Sequence, residues 1–293
     1  MNPLNRSAKK IADGLIHPHA FSYDKGLQDA ERHGGLLESD FLDMDETMEI
    51  FPVESGRYIF LTYMTCPPSY ERGDGRERAV ILSHGHNRNM YFSLKYARIY
   101  YELGYKVLIF DHRGHANSAF WPCTMGPEEG ADLAGIASHV RSILGPNALI
   151  GVHGESMGAA AICCAMPELS KSLDFAVCDC AYADFSSVLA QRVHSPKMRE
   201  RVFAQAAAEG VSLEKVCPID GVRNAPADFP VCFVQGGRDT LVTPDHLEQL
   251  YSAKQGKKDK MLFPRADHAH SIDKYGRIYR ERIHSFLRTF VEE

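Results

Sequence analysis

No stretch of the 293-residue chain approaches the roughly 18 consecutive apolar residues that span a bilayer, so no membrane anchor is expected. Residues 1–15 are polar and basic and lack the apolar core of a secretory leader, which makes the cytoplasm the expected location. Charge of one sign is not concentrated anywhere: 33 basic and 38 acidic residues leave a net charge of -5. Without a basic stripe, no nucleic-acid partner is expected. The Lys257-Lys258-Asp259-Lys260 cluster reads as a solvated turn entering a strand. The eight cysteines offer no metal-binding spacing; Cys178 and Cys180 are one residue apart and have no matching second pair. Cys163 and Cys164 fall in an apolar helical stretch, and Cys178, Cys180 and Cys232 in strands, so they read as small buried hydrophobes. Neither a metal nor a cofactor is expected.

What is there is ordinary globular composition, 44% hydrophobic and 24% charged, enough to bury a sizeable core. Residues 1–45 read as an N-terminal extension, part helix and part irregular, packed on or flanking the core. Residues 46–293 form the main domain. It opens with an antiparallel hairpin, 49–53 and 57–65, followed by a polar loop at 67–76. Strands then alternate with helices. The strands are 79–83, 106–110, 148–152, 175–180, 231–235 and 260–263; the helices are 91–103, 128–144, 157–166, 243–255 and 273–290. Short continuous apolar strands between amphipathic helices call for a mainly parallel α/β sheet covered on both faces. Residues 182–228 break the rhythm as a helical excursion, a candidate small cap or lid over the carboxyl edge of the sheet. Ligands of open parallel sheets bind at that edge.

The segment Ala-Leu-Ile-Gly-Val-His-Gly-Glu-Ser-Met-Gly-Ala-Ala places Ser156 between Gly154 and Gly158, after an apolar strand and before a run of helix formers. A serine in such a turn exposes its hydroxyl and points a helix N-terminus at whatever it attacks. The hydroxyl needs an imidazole to take its proton and a carboxylate to orient the imidazole. Gln235-Gly-Gly-Arg-Asp239 leaves one strand and presents Asp239; Phe263-Pro-Arg-Ala-Asp-His268 leaves the last strand and presents His268. The order Ser156, Asp239, His268 suits this kind of sheet. Rivals remain open: Asp239 as a helix cap, Asp179, Asp184 or Asp267 as the acid, and His270 as the base. Backbone N–H groups of Met157 and of His86, in the loop Ser83-His84-Gly85-His86-Asn87, are the expected oxyanion donors. The His86 ring is free to line the pocket, and Asn87 to pin the loop.

These landmarks together resemble the α/β-hydrolase superfamily, and more closely the bacterial serine aminopeptidase-like and prolyl-oligopeptidase-like hydrolases. The resemblance runs from about residue 48 to 290. It rests on His84-Gly85, Asp111-His-Arg-Gly-His115, Gly154-Glu-Ser-Met-Gly158, Gly236-Gly-Arg-Asp239 and Asp267-His-Ala-His-Ser271. It implies a triad of Ser156, Asp239 and His268, with Ser271 framing His268 rather than His270, and a structural role for Asp111 and Arg113. The sequence departs from the pattern at Ala116, where glycine is common.

The implied activity is hydrolysis of a small or medium acyl ester through an acyl-enzyme. Tyr91, Phe120, Trp121 and Phe185 are candidate walls of the substrate pocket, with simple core packing as the alternative for each. Peptidase or amidase activity, and acyl transfer to another acceptor, use the same machinery. Two readings from other classes stand beside these. One is a metal-dependent hydrolase built on the histidines near strand ends, His84, His86, His112, His115, His153, His268 and His270. The other is a non-catalytic binding protein on a hydrolase fold. Association into a homo-oligomer is left open.

Overall fold

The computed structural model describes residues 3–34, 48–53, 57–64, 75–118 and 121–292. The expected loop at 67–76 lies mostly outside these, as do the hairpin tip at 54–56, the end of the N-terminal extension and Phe120.

Among the described residues, eight strands form one sheet in the order β1-β2-β4-β3-β5-β6-β7-β8. β1 (Met48–Val53) and β2 (Arg57–Met64) are the expected antiparallel hairpin, and β2 joins β4 (Lys106–Phe110) antiparallel. From β4 onward every pairing is parallel, through β3 (Arg78–Ser83), β5 (Leu149–Glu155), β6 (Phe175–Asp179), β7 (Val231–Gly236) and β8 (Lys258–Phe263). β3, β5, β6 and β7 are buried along their whole length, as strands covered on both faces must be. At the edge, β8 carries Lys258, Asp259 and Lys260, charges that discourage further strand pairing.

Alternation along the strands splits the core in two. Val80, Leu82, Val107, Ile109, Val177 and Val234 face α2 (Tyr23–Gly34), α3 (Ala97–Tyr101) and α10 (Ser271–Phe290). Ala79, Ile81, Leu108, Ile150, Ala176 and Phe233 face α4 (Pro127–Leu144), α5 (Met157–Leu169), α8 (Pro218–Asn224) and α9 (Asp245–Ala253). A third cluster joins α1 (Pro3–Ile16), α6 (Phe185–Arg192) and α7 (Pro196–Ala208) to Cys123, Met125 and Met157. In α1, Ala8, Ala12 and Ile16 recur every four residues and are buried, giving one apolar stripe. That stripe packs α1 against α7, with Lys9 and His17 both reaching Glu209.

One element differs from its expected form. The helix read over 91–103 is a 3-10 helix, Met90–Tyr96, followed by the short α3. Its first amides are held by side chains: Met90 N–H donates to Asp111 Oδ1 at 2.8 Å, and Tyr91 N–H to Asn89 Oδ1 at 3.0 Å. Winding at three residues per turn turns both Phe92 and Lys95 inward, where both are buried.

Candidate active site

Ser156 occupies the turn between β5 and α5 with φ 55° and ψ -115°, a conformation that costs a non-glycine residue about 1–3 kcal/mol. The flanking glycines make the turn sterically feasible. A Cβ on Gly158 would lie 2.3 Å from the Ser83 carbonyl oxygen, and one on Gly154 2.7 Å from the Ala159 nitrogen. The Ser156 N–H donates to the Asp179 carbonyl at 2.8 Å, tying the turn to the end of β6.

A single hydrogen-bonded chain runs outward from this serine. His268 Nδ1 lies 2.7 Å from Asp239 Oδ2, and His268 Nε2 lies 2.9 Å from Ser156 Oγ. A carboxylate only accepts, so Nδ1 carries the proton and Nε2 is left to accept from the serine hydroxyl. Asp239 is fully buried, and its oxygens are otherwise filled by Gln235 Nε2 and the N–H groups of Leu241 and Val242, each at 2.9 Å. Four donors hold the carboxylate in one orientation.

The rivals go elsewhere. His270, 54% exposed, bonds Asp273 on α10. Asp267 is exposed and pairs with Lys274 at 2.8 Å; Asp184 caps α6 through Ser187 N–H at 2.8 Å. Asp179 lies beneath the site, where Tyr96 and Tyr279 hydroxyls donate to its Oδ2 at 3.2 and 2.9 Å.

Beside Ser156 runs the loop after β3. A Cβ on Gly85 would sit 3.4 Å from the Ser156 Cβ, so this backbone passes directly against the serine. Met157 N–H opens α5, where helix geometry leaves amides without intrahelical partners. The His86 ring, expected to be free, is instead engaged: its Nε2 donates to the Leu15 carbonyl at the end of α1, 2.9 Å away. Asn87 does pin the loop, its Oδ1 accepting from His19 N–H at 3.1 Å and its carbonyl from Phe21 N–H at 3.2 Å. The N-terminal extension is thereby hydrogen-bonded to the loop beside the serine.

The candidate pocket walls separate. Phe185 is buried in the third apolar cluster beside Tyr182, and Tyr91 packs on Tyr23 of α2 with ring centres 5.0 Å apart. Trp121 lines an open cavity of about 600 Å³ together with His17, Pro18, His19, Ala116 and Pro122. Asp111 binds Met90 N–H and the Tyr23 hydroxyl, and Arg113 clamps Asp132 through two bonds of 2.6 Å. Ala116, in the place where glycine is common, has φ 45°.

Sequence reading missed a buried charged network under the serine. Lys95 Nζ lies 2.5 Å from Glu155 Oε2 and donates to the Ala269 carbonyl at 2.9 Å. It therefore bridges the residue before Ser156 and the residue after His268. Tyr96 donates to Glu155 at 2.8 Å, and Tyr100 and Tyr279 contact the two nitrogens of His153. Burial alone would raise the Glu155 carboxyl, but the Lys95 charge and hydrogen bond outweigh it and hold it low. Asp179, pushed up first by burial and then by the charge of Glu155, rises to about 6. The visible signal was a charged residue closing an apolar strand, and a lysine inside the apolar run Ser93-Leu-Lys-Tyr96.

No family model matches the chain. It is 28% identical over 291 residues to an uncharacterized Bacillus subtilis protein, YqkD, covering 94% of this chain and 92% of that one. The Pyrococcus furiosus esterase Pf2001 superposes with a TM-score of 0.70 at 18% identity, over 94% of this chain and 97% of the esterase. A Pyrococcus horikoshii acylaminoacyl peptidase superposes with a TM-score of 0.59 at 16% identity, over 84% of this chain and 42% of the peptidase. Among the described residues, no helix is long and apolar enough to cross a membrane. Among the described residues, the mostly parallel eight-stranded sheet with helices on both faces is the α/β-hydrolase fold.

Proposed function

We propose that the chain is a serine hydrolase that cleaves a small or medium acyl ester, belonging with the serine aminopeptidase-like and prolyl-oligopeptidase-like hydrolases. The observation that carries this reading is the chain Asp239–His268–Ser156, with bonds of 2.7 and 2.9 Å. His268 Nε2 takes the hydroxyl proton as Ser156 Oγ attacks the acyl carbon, and Asp239 stabilises the resulting imidazolium. The N–H groups of Met157 and His86 receive the carbonyl oxygen as it gains charge. Collapse expels the alcohol, protonated by His268, and leaves an acyl-serine. Water, activated by the same imidazole, then releases the acid and restores Ser156.

Residues 1–45 act in this reading as an extension docked on the 46–293 hydrolase domain, and 182–228 as a small helical cap. Trp121 belongs to the substrate pocket. Cytoplasmic location goes with unpaired thiols at every described cysteine.

The test is a panel of ester, thioester and peptide substrates with wild type and Ser156→Ala. Turnover of esters, lost by about three or more powers of ten in the variant, supports the proposal. Turnover of peptides in preference to esters turns it to the peptidase reading, and undiminished ester turnover by the variant refutes it.

A further inference from the structure

A second cluster of donor atoms lies beside the serine and takes no part in the chemistry above. Cys123 Sγ and one ring nitrogen from each of His86 and His115 lie within 4.8 Å of one another. Cys123 Sγ is also 3.4 Å from Met157 Sδ and 3.8 Å from Met125 Sδ. Three sulfurs and two imidazoles thus converge where three loops meet.

Each imidazole is held on one nitrogen by a backbone carbonyl, as metal-binding histidines are. His86 Nε2 faces the Leu15 carbonyl and His115 Nδ1 the Arg113 carbonyl, each at 2.9 Å. A carbonyl only accepts, so these nitrogens carry the protons and the opposite ones, His86 Nδ1 and His115 Nε2, keep their lone pairs. A backbone carbonyl fixing the far nitrogen is the usual support of a histidine ligand. Among the described residues, His115 Nε2 accepts the Asn87 N–H at a long 3.3 Å, a contact that a metal ion could replace.

We infer that Cys123, His86 and His115, with the Met125 and Met157 thioethers, form a site for one thiophilic monovalent cation, cuprous copper. Thioethers and thiolate favour Cu(I) over harder ions, and imidazole suits it equally. Binding exchanges the Cys123 thiol proton for the cation, the S–H bond breaking as S–Cu forms and the proton leaving to solvent. One positive charge replaces another, so the buried site gains no net charge. Zinc would add a full unit of charge and calls for a further anionic ligand, whereas the Glu129 oxygens are taken by Thr124 N–H, the Thr124 hydroxyl and Gly126 N–H. The cavity next to the site is lined by both chain neighbours of His115, Gly114 and Ala116, and by Pro122, which precedes Cys123.

His86 and Met157 are also the two residues assigned to the oxyanion above. An ion that pins their side chains shifts their backbone, so occupancy lowers esterase turnover. The binding stands without the proposed function; the inhibition rests on it.

The test is anaerobic titration of the full chain with Cu(I) against bicinchoninate, with zinc in a parallel arm and circular dichroism as the check on folding. The expected result is one Cu(I) per chain, bound about 100-fold more weakly by Cys123→Ser and about 10-fold more weakly by Met125→Leu. X-ray absorption of the copper-loaded wild type shows mixed sulfur and nitrogen neighbours, a readout that does not depend on how Cys123→Ser folds. Fewer than one equivalent bound, equal affinity in folded Cys123→Ser, a copper shell lacking sulfur, or zinc bound as tightly as Cu(I) would each overturn it. Loss of binding with esterase activity intact refutes the site alone. Binding without any hydrolase activity refutes only the proposed function.

Discussion

Ser156 sits between two buried polar regions that solve burial in opposite ways. Behind it, Lys95 and Glu155 keep charge inside the fold by pairing it, with Asp179 beside them held by tyrosine hydroxyls. Beside it, His84, His112 and His115 pack edge to face, with ring centres 4.7 to 6.4 Å apart, and stay neutral. Burial lowers His84 to about 4 and takes His112 and His115 well below their usual value. The charged side ties together the two turns that carry Ser156 and His268. The neutral side builds the loop that passes against Ser156, and fixes its shape through tautomers: His84 Nδ1 donates to the Gly85 carbonyl at 2.8 Å while its Nε2 accepts from His112 N–H at 3.0 Å. Pairing demands both partners, whereas neutrality demands only the right pH.

That contrast can be broken from the charged side first. Lys95→Met strands Glu155 as a buried unpaired carboxylate and should cost about 3–5 kcal/mol in urea unfolding. The double variant Lys95→Met/Glu155→Leu should recover most of the loss, since an absent charge needs no partner. A single variant as stable as wild type would show that the pair is not coupled.

The neutral side should fail by acid. His84 takes up a proton near pH 6.5 when unfolded but only near pH 4 when folded, so its contribution is full above 6.5 and is lost as pH falls through about 4. At about 1.4 kcal/mol per pH unit, His84 alone accounts for up to about 3 kcal/mol, with His112 and His115 acting in the same direction. Asp179, raised to about 6, has the opposite sign: its contribution is present at low pH and fades as pH rises through 6. Urea midpoints between pH 7 and pH 4.5 should therefore fall, and more steeply in wild type than in His84→Asn. Equal slopes would remove His84 from the account.

A smaller effect tests the docking of the N-terminal extension. Tyr23→Phe deletes the hydroxyl bonded to buried Asp111 and should cost about 1–3 kcal/mol by thermal unfolding. The smallest belongs to His270→Ala. Its exposed contact with Asp273 should leave stability within about 0.5 kcal/mol and ester turnover unchanged. A large fall in turnover would restore His270 as a rival to His268.

Much of this arrangement was legible in the chain itself. Strand residues on both faces were apolar, so a buried parallel sheet followed from β3, β5, β6 and β7, and the glycines at 154 and 158 marked a turn that only small residues permit. The convergence of Ser156, Asp239 and His268 was readable because each follows a strand of the parallel part of the sheet, whose strands all end on one edge. The choice between His268 and His270 was not settled by local pattern, because two residues in one loop differ only in what each meets across 29 positions of sequence. Lys95 and Glu155 were missed for the same reason, and Asp179 was read only as a rival acid: a buried pair is a long-range fact, and Lys95 on its own looks like an interruption of an apolar helix. Fully buried residues at Met90 and at 92–96 likewise erase the stripe that distinguishes an α-helix from a 3-10 helix.

The central claim concerns the nucleophilicity of Ser156, and covalent labelling reads it most directly. A fluorophosphonate should add once per chain, at Ser156 by peptide mass mapping, with chelator making no difference. Labelling should disappear in Ser156→Ala and slow by about three powers of ten in His268→Ala. A label on another residue, or equal labelling rates in wild type and His268→Ala, would contradict the account.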